Sequence, residues 1–290
     1  MSDADKRDDG DDLLYHYTSA DALIGMLGTY SRRAEIWMTQ IQYLNDKAEW
    51  WETFDLLNQT ARQLPYHSSS ELRRLAEHMG KGELSSFGRT FVFSLTSEGD
   101  LLSQWRGYAP AGGYSIGFKK KQLRQLAKKN NFHLIPCMYE DEEKKASIAQ
   151  LLDVLRQDIA DGYIDPRCSG VQDTDPVLAS AWVKYQNGFN ARAIYFKHAS
   201  FREERETRLI GDVPAGGTDD RARWRTRANM VIPYCAVDIE PEEGFQPISE
   251  VIVGPGADYR LAYHAVQFLM MGKHADVVIK PSSSTLRLGL

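Results

Sequence analysis

The sequence predicts an α+β fold, on three observations. Strand-like runs cluster on both sides of a mainly helical middle at about residues 140–192. Helices and strands mix without the regular βαβ order of a doubly wound sheet. No internal repeat is visible. A chain of 290 residues suits one large domain, or a core carrying one insertion. We place a single domain at 13–290, with the helical insertion inside it, after an acidic lead-in at 1–12 that reads as disordered.

The elements follow in order. LLYHYTS (13–19) reads as a short buried strand that stops at a cap, where Thr18 or Ser19 precedes the helical spacing of SADALIGML. EIWMTQ (35–40) reads as a second strand, and IQYLNDKAEWWETFDLLNQTARQL as a turn around Asn45 and Asp46 continuing into a helix. HSSSELRRLAEHMGKGELSSFG reads as another helix with polar ends. RTFVFSLTS (89–97) alternates as a strand, and DLLSQWRGYA (100–109) is a short helix leading to a Pro/Gly turn. GGYSIGF (112–118) is a strand whose glycines permit tight turns or close approach. After HLIPCMY (133–139) comes the insertion, broken near GYIDPRCSG and QDTDP. Beyond it AIYFKHASF, ETRLIGD, NMVIPYCAVDI and SEVIVGPG read as strands, DYRLAYHAVQFLMMG (258–272) as a helix, and DVVIKPSSSTLRL closes the chain.

Composition narrows the function. Apolar residues make up 42% and charged residues 26%, which is ordinary for a globular protein. A net charge of −5 argues against a surface that seeks nucleic acid everywhere. The local basic run Lys119, Lys120, Lys121, Arg124, Lys128 and Lys129 has helical spacing and reads as a solvated helix face. Three cysteines, Cys137, Cys168 and Cys235, stand far apart without CxxC spacing. They argue against a disulfide framework and a cysteine zinc site, and fit a reducing cytoplasm. The start lacks the apolar core of a signal peptide, and no apolar run approaches the roughly 18 residues that span a membrane. A soluble, cytoplasmic protein with no membrane partner and no metal is expected. The seven histidines show neither HExxH nor structural-zinc spacing. GxGxxG and Walker patterns are absent, and Ser94 lacks the GxSxG context of a serine hydrolase.

What remains is a set of polar and aromatic residues planted among apolar strands. His16 interrupts LLYHYTS, and Ser94 and Thr96 share one face of their strand. Gln104, Trp105, Arg106 and Tyr108 form a polar-aromatic group beside a flexible turn, of the kind that stacks flat rings. FREERETRLI (201–210) packs three acids and three arginines into ten positions. As a strand it puts Glu204, Glu206 and Arg208 on one face, and Glu203, Arg205 and Thr207 on the other. Two readings stand: an edge strand whose charges deter aggregation, or a pair of carboxylates with a guanidinium beside them, projecting into a cleft.

The landmarks LYHYTS, LNDKAE, FSLTSEGDLLSQWRGYAPAGGYSIGF, KHASFREERETRLI, VIVGPG and a terminal serine cluster before Arg287 fall in an order similar to that of a bacterial family of unknown function, the one numbered twenty-nine seventy-one. Members often carry a proline after the Asn-Asp pair, where this chain has Lys47. The family name carries no activity. More remotely, the chain resembles the ADP-ribosyltransferase fold, a split, twisted sheet of mixed or antiparallel strands around a cleft that holds NAD. One branch opens with a histidine on its first strand, in a setting similar to LYHYTSADALIGML. Another has a Ser-Thr-Ser edge and a late Glu-x-Glu, similar to FSLTS and to Glu204-Arg205-Glu206.

That resemblance implies an NAD-processing enzyme, with NAD as substrate, that cleaves the nicotinamide–ribose bond and transfers ADP-ribose to a protein, a nucleic acid or water. A carboxylate beside the ribose stabilises the positive charge developing there. It casts Glu206 nearest the scissile bond, deeper toward Leu209 and Ile210, with Glu204 orienting the acceptor and His16 as the third catalytic group. Tyr17, Thr18, Ser94, Gln104, Trp105 and Tyr108 would hold the ligand, and Arg208 would orient the acids or hold phosphate. Two alternatives stay open: a module that binds a nucleotide or RNA end without catalysis, and a non-enzymatic protein-interaction component of a bacterial defence or toxin system.

Overall fold

A computed structural model of the chain describes residues 12–29, 31–44, 48–63, 89–109, 112–162, 188, 191–213, 221–227, 229–274 and 276–284. The helix expected at 67–88, most of the lead-in, parts of the insertion and Arg287 lie outside these residues. The strands are β1 (Leu13–Thr18), β2 (Glu35–Gln40), β3 (Thr90–Thr96), β4 (Tyr114–Lys119), β5 (His133–Pro136), β6 (Glu206–Asp212), β7 (Ala222–Arg227), β8 (Met230–Asp238), β9 (Ile248–Val253) and β10 (Val278–Pro281). The helices are α1 (Ala20–Leu27), α2 (Ala48–Gln63), α3 (Leu102–Tyr108), α4 (Lys120–Asn130), α5 (Asp141–Ala160) and α6 (Tyr259–Met270). The architecture is α+β, with an open sheet of ten strands among the described residues. It is mixed, because β9 and β10 run parallel while the other pairs are antiparallel.

The chain forms two compact units, one of Met1–Gln40, Arg89–Pro136 and Glu204–Leu290, the other of Ile41–Gly88 and Cys137–Glu203. All ten strands belong to the first. Residues 140–192 fall in the second together with α2. There α2 packs on α5, and Lys144, almost fully buried on α5, reaches Glu52 and Asp141 at 3.4 Å each. Such a cation is tolerated because its charge is answered on two sides.

In the first unit the sheet is organised around β3. A strand has two hydrogen-bonding edges, and β6 pairs with all seven residues of β3 along one of them. β1 and β2 must therefore share the other. β2 takes Phe91 and Val92, while β1 touches β3 only where Tyr15 faces Thr96. Between these points the edge of β3 is split open. Beyond the split, β1 continues through β4, β9 and β10, and β2 through β8 and β7.

Residues directly opposite in these ladders share a face, and faces alternate along each strand. Leu14, Ile36, Met38, Phe91, Phe93, Leu95, Ile116, Phe118, Leu209 and Val251 all fall on one face. There they form the core with Leu23, Met26 and Leu27 of α1, Leu123 and Leu126 of α4, and Val266 and Met270 of α6. α1 starts where Ser19, not Thr18, caps Ala22 N, and α4 stops at Asn131 in the left-handed region, which asparagine tolerates. The exposed side of α4 carries Lys121, Arg124, Lys128 and Lys129, the solvated basic face its spacing predicts.

Two expectations fail here. AIYFKHASF is not a strand: residues 191–195 are helical, and a 3-10 helix follows at Ala199–Glu204. A short apolar run fits either state, and Arg192, bonded to Ser147 and to Gly188 O, holds the helical one. FREERETRLI is not an edge strand either. Its strand begins only at Glu206 and is flanked on both sides, by β3 and by β5. Among the described residues no helix is long and apolar enough to cross a membrane.

Candidate functional site

The second face of the sheet is polar around β3. Tyr15, Thr96 and Glu206 lie in one row across β1, β3 and β6, and Ser94 and Arg208 in the next row across β3 and β6. A cleft opens over them, lined by Tyr15, His16, Tyr17, Ser94, Leu95, Thr96, Gln104, Tyr108, Glu204 and Glu206. All belong to the first unit. The cleft is small, with room for a few waters or one small ring.

Glu206 is held by its own strand neighbour. Arg208 donates from Nε to Oε1 at 2.9 Å and from a terminal nitrogen to Oε2 at 3.1 Å, and the two residues are only 6 % and 4 % exposed. This two-point fork fixes the carboxylate plane. Arg208 does not itself line the cleft, so it serves to orient Glu206. Glu204 reaches the same cleft by another route than shared strand alternation. It ends the 3-10 helix, and Arg205 then turns the chain through a φ of 42° before β6 begins. Arg205 in turn pairs with Glu98 at 2.5 Å.

His16 leaves β1 on the apolar face, opposite Glu206, and stacks on Phe93 with ring centroids 4.2 Å apart. Its Nδ1 lies 2.8 Å from Ser94 O, in the split where no strand pairs with β3. A buried carbonyl needs a partner, and the imidazole supplies it. Because a carbonyl only accepts, the proton sits on Nδ1, and Nε2 is left as an acceptor. Burial pushes His16 down to about 4, against the opposing pull of the Ser94 bond and with help from the charge of Arg225. The ring is neutral near pH 7. Nε2 and Ser94 Oγ have no hydrogen-bond partner among the described residues.

Tyr17 is a staple as well as a lining residue. Its hydroxyl donates to Glu98 O at 2.8 Å and accepts from Leu101 N at 2.7 Å, pinning the loop between β3 and α3. Trp105 is fully buried, packs edge-on against Tyr17 at 4.7 Å, and does not line the cleft. It is held by Asp100, which accepts from Trp105 Nε1 at 2.7 Å and from Ser282 Oγ, Ser283 Oγ and Ser283 N. Burial alone would raise Asp100; the serine and tryptophan donors outweigh it and hold the carboxyl below the usual range. Thr18 is buried on the apolar face, away from the cleft. Gln104 and Tyr108 do line it, the first 5 % exposed and the second 44 %.

The residues missed by sequence reasoning are Tyr15, Asp100 and Glu98, while Thr96, singled out with Ser94, does line the cleft. The structure makes room for Tyr15, since a side chain added at Gly99 would fall 2.4 Å from its ring and one at Gly117 3.0 Å. Two glycines make room for one aromatic. Among the described residues no group of three or more His, Cys, Asp or Glu is placed to hold a metal.

Residues 104–209 match the model of the family described as "Protein of unknown function (DUF2971)". The matched stretch runs from Gln104 to Leu209 and so takes in Tyr108, Glu204, Glu206 and Arg208. No curated protein and no solved structure matches the chain.

Proposed function

From a chain whose family lends it no activity, we propose an NAD-processing enzyme of ADP-ribosyltransferase type, which breaks the nicotinamide–ribose bond and passes ADP-ribose to water or to a macromolecular acceptor. One observation carries the reading: a carboxylate fixed in two dimensions by Arg208 opens onto a small cleft beside an uncharged histidine and a serine hydroxyl. Such a cleft accepts one end of a dinucleotide, and the rest of the molecule lies outside it.

The bond from ribose C1′ to the pyridinium nitrogen breaks, its electron pair stays with the ring, and nicotinamide leaves neutral. Positive charge develops on the ribose, beside Glu206. A preorganised carboxylate in a water-poor site favours that charge at little reorganisation cost. The nucleophile adds its oxygen to C1′ and gives up one proton, which in this reading passes to Glu204 of the cleft lining. His16 Nε2 and Ser94 Oγ accept from, or donate to, ribose hydroxyls.

Incubation of the full chain with NAD, followed by mass spectrometry of small molecules and protein, tests this. Release of nicotinamide with free or protein-bound ADP-ribose is expected. A second reading, binding of a nucleotide without turnover, is favoured by the fact that the charge of Glu206 is already answered by Arg208. Binding with no nicotinamide released supports that reading and overturns the first.

A further inference from the structure

Gln104 brings the one amide to the lining of the cleft. It is 5 % exposed, lines the cleft, and its side-chain amide has no hydrogen-bond partner among the described residues. Its amide is not sealed in the interior but opens onto the cleft, where a ligand can reach it. Its neighbours in the structure are satisfied with care: Trp105 by Asp100, Tyr17 by two backbone groups. We infer that Gln104 is the residue that selects the ligand of this cleft, and that it takes a planar ring bearing a neutral carboxamide.

The chemistry of the lining narrows the ligand. A glutamine amide presents both donors and an acceptor, the complement of another amide, which it meets at two points. A carboxylate offers acceptors alone, and here it would face Glu204 and Glu206. Arg208 is committed to Glu206 through Nε and a terminal nitrogen, and Arg205 to Glu98. An acid is therefore repelled where a neutral amide is not. Position is secured through the helix: Asp100 holds Trp105, the next residue on α3, and Gly254 allows the indole to pack closely, since a side chain there would fall 2.8 Å from its ring. Gln104 thus meets its ligand preorganised. Tyr108, 44 % exposed on the same helix and lining the same cleft, offers an aromatic surface to the ring.

The inference rests on the proposed function for the identity of the ring, and its test separates the two. Equilibrium binding of nicotinamide, benzamide and nicotinic acid is measured on the full chain, on Gln104→Glu and on Gln104→Met, with thermal melts as the folding check. The wild type should bind both amides at least about tenfold more tightly than the acid. Both variants should lose about tenfold or more on the amides. Gln104→Glu keeps the shape, and Gln104→Met removes hydrogen bonding without adding charge, so a variant that fails to fold leaves the other to decide. Equal binding of amide and acid, no binding of either amide by the wild type, or amide affinity unchanged in the folded variants overturns the inference. Nicotinamide release from NAD is scored separately. Amide selectivity that depends on Gln104, without release, upholds this inference and ends the catalytic reading; release insensitive to Gln104 does the reverse.

Discussion

Glu206 and Arg208 project two residues apart from one face of β6, and their fork is almost dry. Removing one member of such a pair leaves the other buried and unanswered, at a cost of roughly 3–5 kcal/mol. Glu206→Gln should therefore lower the melting temperature, and should lower nicotinamide release by on the order of a hundredfold, the usual loss for one such electrostatic contact. The double variant Glu206→Gln with Arg208→Met separates these effects. It should recover most of the stability and none of the activity; wild-type release from the folded double variant would end the catalytic role. Glu203, exposed and outside the cleft lining, should tolerate change to Gln without loss. His16 makes a prediction of another kind. Burial holds it at about 4, against 6.5 for an unburied imidazole, so between these values the unfolded chain binds a proton that the folded one refuses. Stability is intact above about pH 6.5 and falls as pH drops toward 4, by on the order of 3 kcal/mol in all. His16→Gln should flatten that part of the melting curve against pH. Parallel curves for variant and wild type would show that the imidazole is not held neutral.

At the scale of elements, α3 carries both Gln104 and Tyr108, and its position depends on Asp100. Asp100→Asn replaces one acceptor atom with a donor while Trp105 Nε1, Ser282 Oγ and the Ser283 groups remain donors. With the amide oxygen kept on Trp105 and Ser282, the exposed Ser283 groups lose their acceptor, at about 0.5–1.5 kcal/mol, and amide binding should weaken as the anchor of the helix loosens. A variant that melts and binds like the wild type would show that α3 is held by packing alone. The basic face of α4 discriminates the two functional readings. Changing Lys121, Arg124, Lys128 and Lys129 together to Gln should move stability little, since exposed charges seldom contribute much, and should leave NAD turnover unchanged; loss of ligand binding instead would point to the binding module. Much of this architecture is legible in the sequence because short apolar runs rich in aromatic and aliphatic residues mark buried strands, as in RTFVFSLTS and ETRLIGD. β7 is not, because ARWRTR alternates arginine with Trp224 and small residues rather than with a buried apolar set. Its Arg223 pairs with Glu35 and its Arg225 with Thr39. In the cleft, His16, Ser94 and Glu206 are legible as polar interruptions of apolar runs. Tyr15 is not, because an aromatic on a strand looks the same whether it faces a core or a cleft. The face shared by Glu204 and Glu206 is inferred from alternation that does not exist there, since Arg205 breaks the chain before the strand begins.

For the whole molecule, the first unit gathers three separated stretches of chain, and the cleft draws on residues near 16, 95, 106 and 205. Contacts so far apart in sequence must repay the entropy of closing long loops before they stabilise anything. The last such closure is made by Ser282 and Ser283, which follow β10 and reach back to Asp100, 182 and 183 residues earlier. Ser282 N also donates to Val253 O at 2.8 Å, so the segment is tied to the sheet at the point where it meets the loop before α3. Ending the chain after Pro281 removes three of the four donors to Asp100 and leaves a half-buried carboxylate with Trp105 alone. Because those donors hold the carboxyl below its usual range, their loss should let it rise. The acid-side stability that comes from a depressed carboxyl, present at neutral pH and lost as pH falls through its folded value, should shrink accordingly. Ending the chain after Ser284 keeps every donor and serves as the control. The shorter chain should melt below the control at pH 7, with the gap narrowing toward pH 3, and should bind nicotinamide more weakly because α3 has lost part of its anchor. Melting curves of the two chains across that pH range decide the matter: coincident curves would remove the closing segment from the machinery that positions the cleft.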